Sequence, residues 1–599
     1  MAILSLRRIS VVGPLADKRE TLQQLQKLGC VHLIASIPGV EDEGSTADEA
    51  QITREALRYL EDCSTRRHQA ASSNRFDMSR VVNSALDIKR NLRIRTHRRE
   101  FLLERIEHLS RWGDFRLPPD GDIAGYRLWF YVVPINQMDE VRGSDLVWQE
   151  LRRGHRHAYV VVVSKEEPAI TALPVPRTHT GSVSLRVLHD ELEQVELEIE
   201  DLSADRASLT RWIDQLRDNL YAVEDRADLA RAVDETWHEA HVFAIQGWAP
   251  AVAIERIRSF TEASGLVLLE RKPGSRENPP TLLENSDQLG GGQEIVSFWQ
   301  LPGYRDFDPS SIVAVSFATF FAMIMSDTGY ALVLAGILAL LWRRMSTWES
   351  GPALRNLGLL IVGMSLVYGV LVGSYFGFAP QDGTLAAKAQ LLDMQDYDSM
   401  MRLVIVIGAV HLTLGNVMAG LSSLGRHVAW GRFGWAGAIV GGLLLWLGWQ
   451  RDPEGALALV GMVLMGAGFA AVLLFSGEQR VSQATDWAKR LLQGGLALTS
   501  VTKAFGDVLS YLRLFALGLA SASLAMTFNE LAGQVQLGAG RAGPYLAVLL
   551  LLLGHTLNFI LIMMSAVVHG LRLNLIEFFN WSVTDEGYPF HAFRKRSRR

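Results

Sequence analysis

Long apolar stretches fill the second half of this 599-residue chain and set the strongest limit on its fold. About 20 consecutive apolar residues are enough to cross a bilayer as a helix. The stretches run roughly over residues 311–342, 356–377, 403–424, 434–450, 457–475, 496–528 and 545–579. Residues 1–305 are rich in charge and contain no apolar run of spanning length. The sequence therefore predicts a soluble half fused to a membrane half. The mean hydropathy of +0.13 is the average over these two unlike halves.

The loop charges predict how the membrane half is threaded. The first stretch is about 32 residues long, roughly 48 Å as a helix, so we expect it to cross twice with a break at residues 326–329. The basic loop 343–355 then falls on the same side as the N-terminal half. On this threading thirteen Lys and Arg residues lie inside, including Arg480, Arg598 and Arg599, and four lie outside. The positive-inside rule thus predicts eight spans with both termini in the cytosol, and the N-terminus has no apolar core of signal-peptide length.

Heptad spacing predicts a helical hairpin in the soluble half. Apolar residues from Leu188 to Val223 alternate at steps of four and three, broken only by Arg206, and a weaker seam runs from Val81 to Leu109. Strand-like runs predict one α/β lobe between the seams and another, split across the sequence, at the base of the hairpin. We expect a multi-domain chain: a cytosolic α+β dumbbell, then an all-α polytopic membrane domain of about eight helices, the last two long and tilted. The expected boundaries are a cytosolic domain at 1–305, with a proximal lobe at 1–46 and 236–290, a coiled coil at 48–115 and 183–232 and a distal lobe at 116–182, and a membrane domain at 306–599.

The sequence offers no motif for nucleotide or metal chemistry. It contains no G-x-x-x-x-G-K-[ST], and Gly538, Gly540 and Gly543 fit G-x-G-x-x-G without a preceding strand. The two cysteines, Cys30 and Cys63, give no disulfide framework. We expect no cofactor, no metal, no nucleic-acid partner and no bond-making catalysis by this chain alone.

Two arginines interrupt the apolar runs of the last predicted spans. Arg513 lies in VLSYLRLFALGLASASLAM and Arg572 lies in MMSAVVHGLRLNLIEFF. A guanidinium near the middle of a membrane helix costs about 2.5 to 3.5 kcal/mol and cannot shed its charge. A functional role is therefore favoured, and the simpler alternative is that both side chains reach an interface or pair structurally.

Polar residues share faces of the same two helices. The last span carries a stripe of about 25 Å that consists of His555, Asn558, Ser565, His569 and Arg572. We interpret it as a wet or hydrogen-bonded track, the alternative being polar contacts that hold helices together. The polar residues of the preceding span are Asp507, Ser510, Ser521 and Ser523. Asp507 and Lys503 form an i, i+4 pair that could instead simply neutralise each other.

Four segments together resemble the a subunit, also called subunit I, of the rotary V-type and archaeal-type ATPases. They are GDVLSYLRLFALGLA around Arg513, HGLRLNLIEFF around Arg572, FFAMIMSDTGYAL at the first break and LPGYRDFDPSS at the entry to the membrane. The resemblance covers nearly the whole chain. It implies a stator with ion half-channels, in which Arg513 matches the family's essential arginine, Arg572 its second arginine, and His569 the polar position three residues earlier.

The resemblance also implies partners and a location. The expected partners are a ring of proteolipid c/K subunits against the last two helices, peripheral-stalk E/G-type subunits on the N-terminal lobes, the catalytic head with its central stalk, and the lipid bilayer. Passage of H⁺ or Na⁺ would be coupled to ATP hydrolysis or synthesis in the complex. The expected location is a prokaryotic plasma membrane. The sequence leaves open which ion passes and in which direction the complex runs.

Two positions depart from the family pattern. Ile562 replaces a common glutamate ten residues before the second arginine, and Ser521 replaces a histidine of eukaryotic relatives. We therefore expect the outer half-channel to use His555, Asn558 and Ser565 with Ser521 and Ser523. The alternatives are a stand-alone secondary ion transporter, for which internal repeats are expected, and a membrane-anchored scaffold without transport.

Overall fold

A computed structural model describes residues 3–35, 45–70, 76–113, 125–169, 172–178, 184–286, 288–348, 350–477 and 484–596. The loop cation Arg480, the tail cations Arg598 and Arg599 and parts of the predicted distal lobe lie outside these residues. The strands are β1 (Leu6–Pro14), β2 (His32–Ile34), β3 (Arg127–Pro134), β4 (Trp148–Arg153), β5 (His157–Ser164), β6 (Trp237–Glu239), β7 (Val242–Pro250) and β8 (Val267–Arg271). The helices are α1 (Lys18–Leu28), α2 (Ser45–Glu61), α3 (Met78–Ser110), α4 (Met138–Arg142), α5 (Leu185–Leu209), α6 (Ile213–Glu235), α7 (Ile254–Ala263), α8 (Gly290–Trp299), α9 (Ser310–Met325), α10 (Thr328–Met345), α11 (Gly351–Val372), α12 (Leu385–Ala389), α13 (Tyr397–Ser422), α14 (Val428–Arg451), α15 (Ala456–Phe475), α16 (Ala484–Leu498), α17 (Val501–Leu509), α18 (Leu512–Gly538), α19 (Gly543–Arg572) and α20 (Phe579–Ser582).

The chain divides into two compact units. The first unit contains Met1–Pro14, Cys30–Ile34 and His238–Ala592, and the second contains Leu15–Gly29, Ala35–Trp237 and Phe593–Arg599. The first unit therefore holds strands from both ends of the N-terminal half together with every helix from α7 onward. The predicted domain boundaries stay predictions.

An antiparallel sheet with the order β2-β7-β1-β8 forms the N-terminal part of the first unit. Its central pair, β1 and β7, runs in register from Leu6 opposite Pro250 to Pro14 opposite Val242. The sheet joins strands separated by more than 200 residues, because β1 and β2 precede the long helices and β7 and β8 follow them. The strands from the two ends of the N-terminal half, predicted to share one split lobe, thus lie in one sheet.

Long helices dominate the second unit. Early residues of α3, such as Val81 and Ala85, share an apolar cluster with α2 and with Leu209 at the end of α5, whereas late residues, such as Leu102 and Ile106, pack with the start of α5. The helix α3 therefore runs antiparallel to α5. A second sheet has the strand order β3-β5-β4. One of its faces packs on the end of α3 near Leu102 and on the start of α5 near Leu188.

The seam predicted from Leu188 to Val223, broken in its pattern only by Arg206, does not lie on one continuous helix. A 3₁₀ turn at Thr210–Trp212 divides it into α5 and α6. The single irregular seam residue, Arg206, is held beside this turn: its guanidinium lies 4.1 Å from the ring centroid of Tyr59, and its Nη2 donates a hydrogen bond to the Tyr59 carbonyl oxygen at 2.5 Å. The seam carries a cation because an aromatic face and a carbonyl oxygen stabilise it.

Seven helical runs are long and apolar enough to cross a membrane, counted over the residues that the structure describes. They are Thr328–Met345, Gly351–Val372, Tyr397–Ser422, Val428–Arg451, Ala456–Phe475, Asp486–Gly538 and Gly540–Ser582. The eighth predicted crossing corresponds to α9, which is apolar but has only 16 residues. A helix of that length is about 24 Å long, less than the roughly 30 Å of a hydrocarbon core. Eight spans therefore stay a prediction.

The helix α9 lies in the centre of the membrane half. Twelve of its residues are buried, and α8, α11, α18 and α19 pack around it. It ends at Ser326, whose φ of 47° is left-handed, and α10 restarts after Asp327. The break predicted at residues 326–329 is therefore confirmed as a helix break.

A C-terminal strap, residues 583–592, returns from the end of α20 along the first unit. Gly303 donates its N–H to the Asp585 carbonyl oxygen at 2.9 Å, and Thr281 donates to Tyr588 O at 2.8 Å. The N–H of His591 donates to Nδ1 of His32 at 2.9 Å. These bonds fix the chain that leaves the last membrane helix.

Candidate functional site

Arg513 stands in the first turn of α18, directly after a break in the helix at Ser510 and Tyr511. Its guanidinium is half-buried, and its Nη1 atom is buried without a hydrogen-bond partner among the described residues. Within those residues no carboxylate oxygen lies within 4.0 Å of it. Ala516 and Ala520, one and two turns further along the helix, are exposed. Arg513 is thus a cation on an open face lined by small residues, a face that another helix could approach closely.

Arg572 is arranged differently. It ends α19, and its side chain is 49% exposed. Its Nε lies 3.7 Å from Oε1 of Glu577, a carboxylate that is only 3% exposed. The two residues are brought together by a π-helix, Leu573–Phe578, which continues directly from α19. The alternative of a structural pair is therefore supported at Arg572.

Glu577 was missed by the sequence reasoning, although a signal was present. It is the single carboxylate in the apolar run that follows Arg572, LRLNLIEFF. Its Oε2 is buried and has no hydrogen-bond partner among the described residues. Glu577 lies within electrostatic reach of Arg572, Arg513 and Asp507, and these four residues form the inner cluster together with His569.

The remaining members of the inner cluster have distinct contacts. Nδ1 of His569 is buried and lacks a partner among the described residues, and both arginines act on this imidazole electrostatically. Oδ2 of Asp507 accepts a hydrogen bond from Nε1 of Trp581 at 2.7 Å. Lys503 lies 6.0 Å from the Trp581 ring centroid and forms no ion pair with Asp507 within 4.0 Å. Asp507 and Lys503 therefore do not neutralise each other through a direct ion pair.

His555 and Asn558 belong to a second group, the outer cluster, with Tyr330 and Asn529. Nδ2 of Asn558 donates to the Tyr330 hydroxyl at 3.0 Å and to the carbonyl oxygen of Ser521 at 3.0 Å. Nδ1 of His555 lies 2.7 Å from the Tyr330 hydroxyl, and its Nε2 lies 3.0 Å from Oδ1 of Asn529. Polar groups of α10, α18 and α19 are thereby joined in one network.

The partners in the outer cluster assign its donors and acceptors. Nδ2 of Asn529 donates to the Phe376 carbonyl oxygen at 2.8 Å, so Oδ1 of Asn529 must accept from Nε2–H of His555. Nδ1 of a neutral His555 then accepts from the Tyr330 hydroxyl. Both ring nitrogens of His555, the Tyr330 hydroxyl and the side-chain amide of Asn529 thus all have hydrogen-bond partners.

Asp327 lies beside the outer cluster and holds the backbone of Tyr330. It was not identified as a site residue from the sequence. Its Oδ1 accepts from the backbone N–H of Tyr330 at 3.0 Å, which caps α10, and from Phe376 N–H at 3.0 Å. Its Oδ2 accepts from Gly377 N–H at 2.9 Å and from the Ser374 hydroxyl at 2.6 Å. The carboxylate is only 4% exposed, and its four bonds hold the loop after α11 against the start of α10.

The other predicted serines have no cross-helix side-chain bond among the described residues. The Ser510 hydroxyl donates to the Gly506 carbonyl oxygen of the preceding turn at 3.1 Å. Ser521 is buried and contributes only its carbonyl oxygen, whereas Ser523 is exposed. Ser565 is half-buried. The stripe on α19 therefore divides into an outer and an inner cluster, and the continuous track stays a prediction.

A buried pair formed by His411 of α13 and Tyr511 was also missed. Nδ1 of His411 lies 2.8 Å from the Tyr511 hydroxyl, and the His411 ring stacks on Phe578 at 4.5 Å between centroids. Tyr511 directly precedes α18, and Phe578 ends the π-helix. His411 thus packs against both segments that carry the arginines.

Membrane-capable helices and a folded N-terminal part of about 300 residues define a polytopic membrane protein with a large extramembrane region. No family model matches the chain. V-type ATP synthase subunit I of Borreliella burgdorferi is 25% identical, with 100% of both chains covered. V-type ATP synthase subunit I 1 of Treponema pallidum is 26% identical over 99% of this chain and 100% of the relative. A-type ATP synthase subunit I of Methanocaldococcus jannaschii is 25% identical over 68% of this chain and 64% of the relative.

The resemblance to subunit I of V-type and A-type ATP synthases, read from four short segments, is thereby confirmed. Among solved structures, the cytoplasmic N-terminal domain of subunit I, homolog of subunit a, of V-ATPase covers 44% of this chain and 100% of its own, with 16% identity and a TM-score of 0.24. A TM-score this low supports no argument about the fold.

Proposed function

We propose that this chain is the stator a/I subunit of a rotary V/A-type ATPase. In this role it provides ion half-channels and presents Arg513 to a ring of proteolipid subunits, and it couples passage of H⁺ or Na⁺ to ATP hydrolysis or synthesis in other subunits. Relatives named as subunit I of V-type ATP synthases, matched over the full length, support the assignment.

The observation that carries the proposal is the environment of Arg513. Its guanidinium is a permanent cation with a buried Nη1 that finds no partner among the described residues, beside a face on which Ala516 and Ala520 are exposed. Such a cation favours the ionised form of a carboxylate brought close to it. A ring carboxylate that passes Arg513 would therefore release its ion, and the fixed positive charge would block direct leakage between the two half-channels.

The two clusters fit the two half-channels. With α18 running outward and α19 running inward, Asp507, His569, Arg572 and Glu577 lie toward the cytosol and His555 and Asn558 lie toward the outside. The inner cluster offers two carboxylates and an imidazole for an ion that travels between Arg513 and the cytosol. On the outer side, ions would pass along His555, Asn558 and Ser565, with Ser521 and Ser523 across from them.

The partners and the location follow from the same assignment. The proteolipid ring would bind the open face of α18 with α19, peripheral-stalk E/G-type subunits would bind the N-terminal lobes, and the catalytic head and central stalk would complete the complex. Both termini would lie in the cytoplasm of a prokaryote, with the membrane half in its plasma membrane.

The test replaces Arg513 in the assembled complex. We expect Arg513→Ala, and also Arg513→Lys because an ammonium can deprotonate when buried, to abolish ATP-driven ion uptake by reconstituted vesicles while the ring and head still co-purify. Arg541→Ala is the matched control, because it removes an exposed arginine from the turn between α18 and α19. Normal uptake by either Arg513 variant would refute the ring-facing role, and purification of the chain alone would favour a stand-alone transporter.

A further inference from the structure

A cavity of about 630 Å³ lies in the first unit, away from both clusters. Its polar lining comes from three separate segments: the start of β1, the turn after β8 and the passage that leads into α9. These polar residues are Ser5, Arg7, Lys272, Ser275, Tyr304 and Arg305, and we call the cavity the basic pocket.

Hydrogen bonds between the three segments build the pocket. The Tyr304 hydroxyl accepts from the Leu6 N–H at 2.8 Å and fixes the passage to β1. The Arg305 guanidinium donates to the carbonyl oxygens of Ser275 at 3.0 Å and Gly274 at 2.5 Å, which fixes the passage to the turn after β8. The pocket is therefore held by interactions that do not require an occupant.

The pocket has positive charge that the chain does not balance. Arg7, Lys272 and Arg305 line it, and no carboxylate does. The neighbouring carboxylate of Glu277 is already shared by Arg8, Arg271 and the Gly274 N–H. Within the described part of the chain, the side chains of Arg7 and Lys272 form no hydrogen bond or ion pair.

Asp306, the carboxylate that directly follows Arg305, is also hydrogen-bonded elsewhere. Asp306 accepts from the Thr584 hydroxyl and from the Asp585 N–H, at 2.5 and 3.1 Å, where the C-terminal strap passes. The chain as a whole has a formal net charge of −5, whereas this cavity is lined by three cations that no carboxylate neutralises. An anion that enters the pocket would meet charge-assisted donors on three sides.

The surroundings indicate which anion. Tyr304 and Arg305 lie five residues or more before α9 enters the apolar half, and α8, just upstream, ends with Phe298 and Trp299, which are 83% and 51% exposed. Exposed aromatic residues beside membrane helices are typical of the membrane–water interface, and basic pockets there bind anionic lipid headgroups. We propose that the basic pocket binds a phosphate group, carried by an anionic phospholipid of the cytoplasmic leaflet.

Native mass spectrometry of the full-length chain in detergent, with added dioleoyl-phosphatidylglycerol or dioleoyl-phosphatidylcholine, tests the proposal. We expect phosphatidylglycerol to bind in preference to phosphatidylcholine, and Arg7→Gln combined with Lys272→Gln to weaken phosphatidylglycerol binding about 30-fold. The estimate follows from about fivefold in affinity for each Lys or Arg beside an anionic headgroup. Arg276→Gln combined with Lys27→Gln is the matched control, because it removes two cations that do not line the pocket.

Each outcome of this experiment either supports or overturns the proposal. Equal phosphatidylglycerol binding by the double variant and its control would overturn the proposal. Loss in the double variant alone, with an unchanged midpoint of thermal unfolding, would support it, since the side chains of Arg7 and Lys272 have no hydrogen bond or ion pair to lose among the described residues. Inorganic phosphate distinguishes the carriers: binding of free phosphate without retention of phosphatidylglycerol would overturn the lipid as the carrier.

Discussion

Replacing Tyr330 by Phe removes one oxygen atom from the centre of the outer cluster. The side chain is 1% exposed, and its ring packs on Phe376 at 5.3 Å between centroids, so the phenyl ring of the variant keeps its packing. Two bonds between helices are lost: the one from Asn558 Nδ2 and the one to His555 Nδ1. Bonds between membrane helices contribute about 0.6 kcal/mol on average and about 1.7 kcal/mol at most. We therefore expect the free energy of unfolding to fall by about 1.2 kcal/mol, and by no more than about 3.4 kcal/mol.

Unfolding of the full-length protein in mixed micelles, titrated with sodium dodecyl sulfate, measures this loss. Tyr368→Phe is the matched control, because Tyr368 also packs on the core of the membrane half but its hydroxyl has no hydrogen bond among the described residues. Hydrogen exchange in α19 around His555 should rise in Tyr330→Phe and stay unchanged in Tyr368→Phe. If the two variants unfolded alike, the hydrogen bonds of the outer cluster would not stabilise the fold.

Two further predictions concern the outer route and the N-terminal sheet. His555→Ala and Asn558→Ala, alone and together, should slow ATP-driven ion uptake in reconstituted vesicles if ions pass along these side chains, and unchanged uptake would exclude that route. Glu277 receives hydrogen bonds from the Gly274 N–H and from Arg271 and Arg8, which lower its pKa to about 2. Because this folded-state pKa lies below the ordinary value of about 4.3, the carboxylate stabilises the fold above about pH 4.3, and this contribution is lost as the pH falls toward 2. Glu277→Gln should therefore lower the midpoint of thermal unfolding at pH 7 and converge with the wild type near pH 2, and a difference that does not change with pH would contradict this.

The features that were predictable from the sequence depend on local pattern. The break after α9 was visible because a stretch of about 32 residues is too long for one span, and S-D-T-G is a natural place to cap a new helix. The open face beside Arg513 followed from helical spacing, which places Ala516 and Ala520 on its side.

The features that were missed depend on contacts distant in sequence. Nothing around Tyr330 in the sequence indicates that His555 and Asn558, more than 200 residues away, bond to its hydroxyl. Glu577 could have been noticed as a lone carboxylate in an apolar run. Its contact with Arg572, five residues earlier, requires the π-helix, because residues at i and i+5 are not neighbours on a regular α-helix.

The two clusters differ in how completely their polar atoms are paired, and this difference bears on function. In the outer cluster Tyr330, His555 and Asn558 all have hydrogen-bond partners, and so does Asp327 beside it. In the inner region Nη1 of Arg513, Nδ1 of His569 and Oε2 of Glu577 are buried and have none among the described residues. A buried polar atom left unpaired costs about 1 to 3 kcal/mol, so an arrangement with three of them is favourable only when something else completes their bonds. The inner region therefore leaves three polar atoms to which an ion, water or a partner's carboxylate could bond, whereas the hydrogen bonds of the outer cluster join α10, α18 and α19. If ions do pass on the outer side, they must open hydrogen bonds that already exist, and His555→Ala would then lower both the free energy of unfolding and ATP-driven ion uptake.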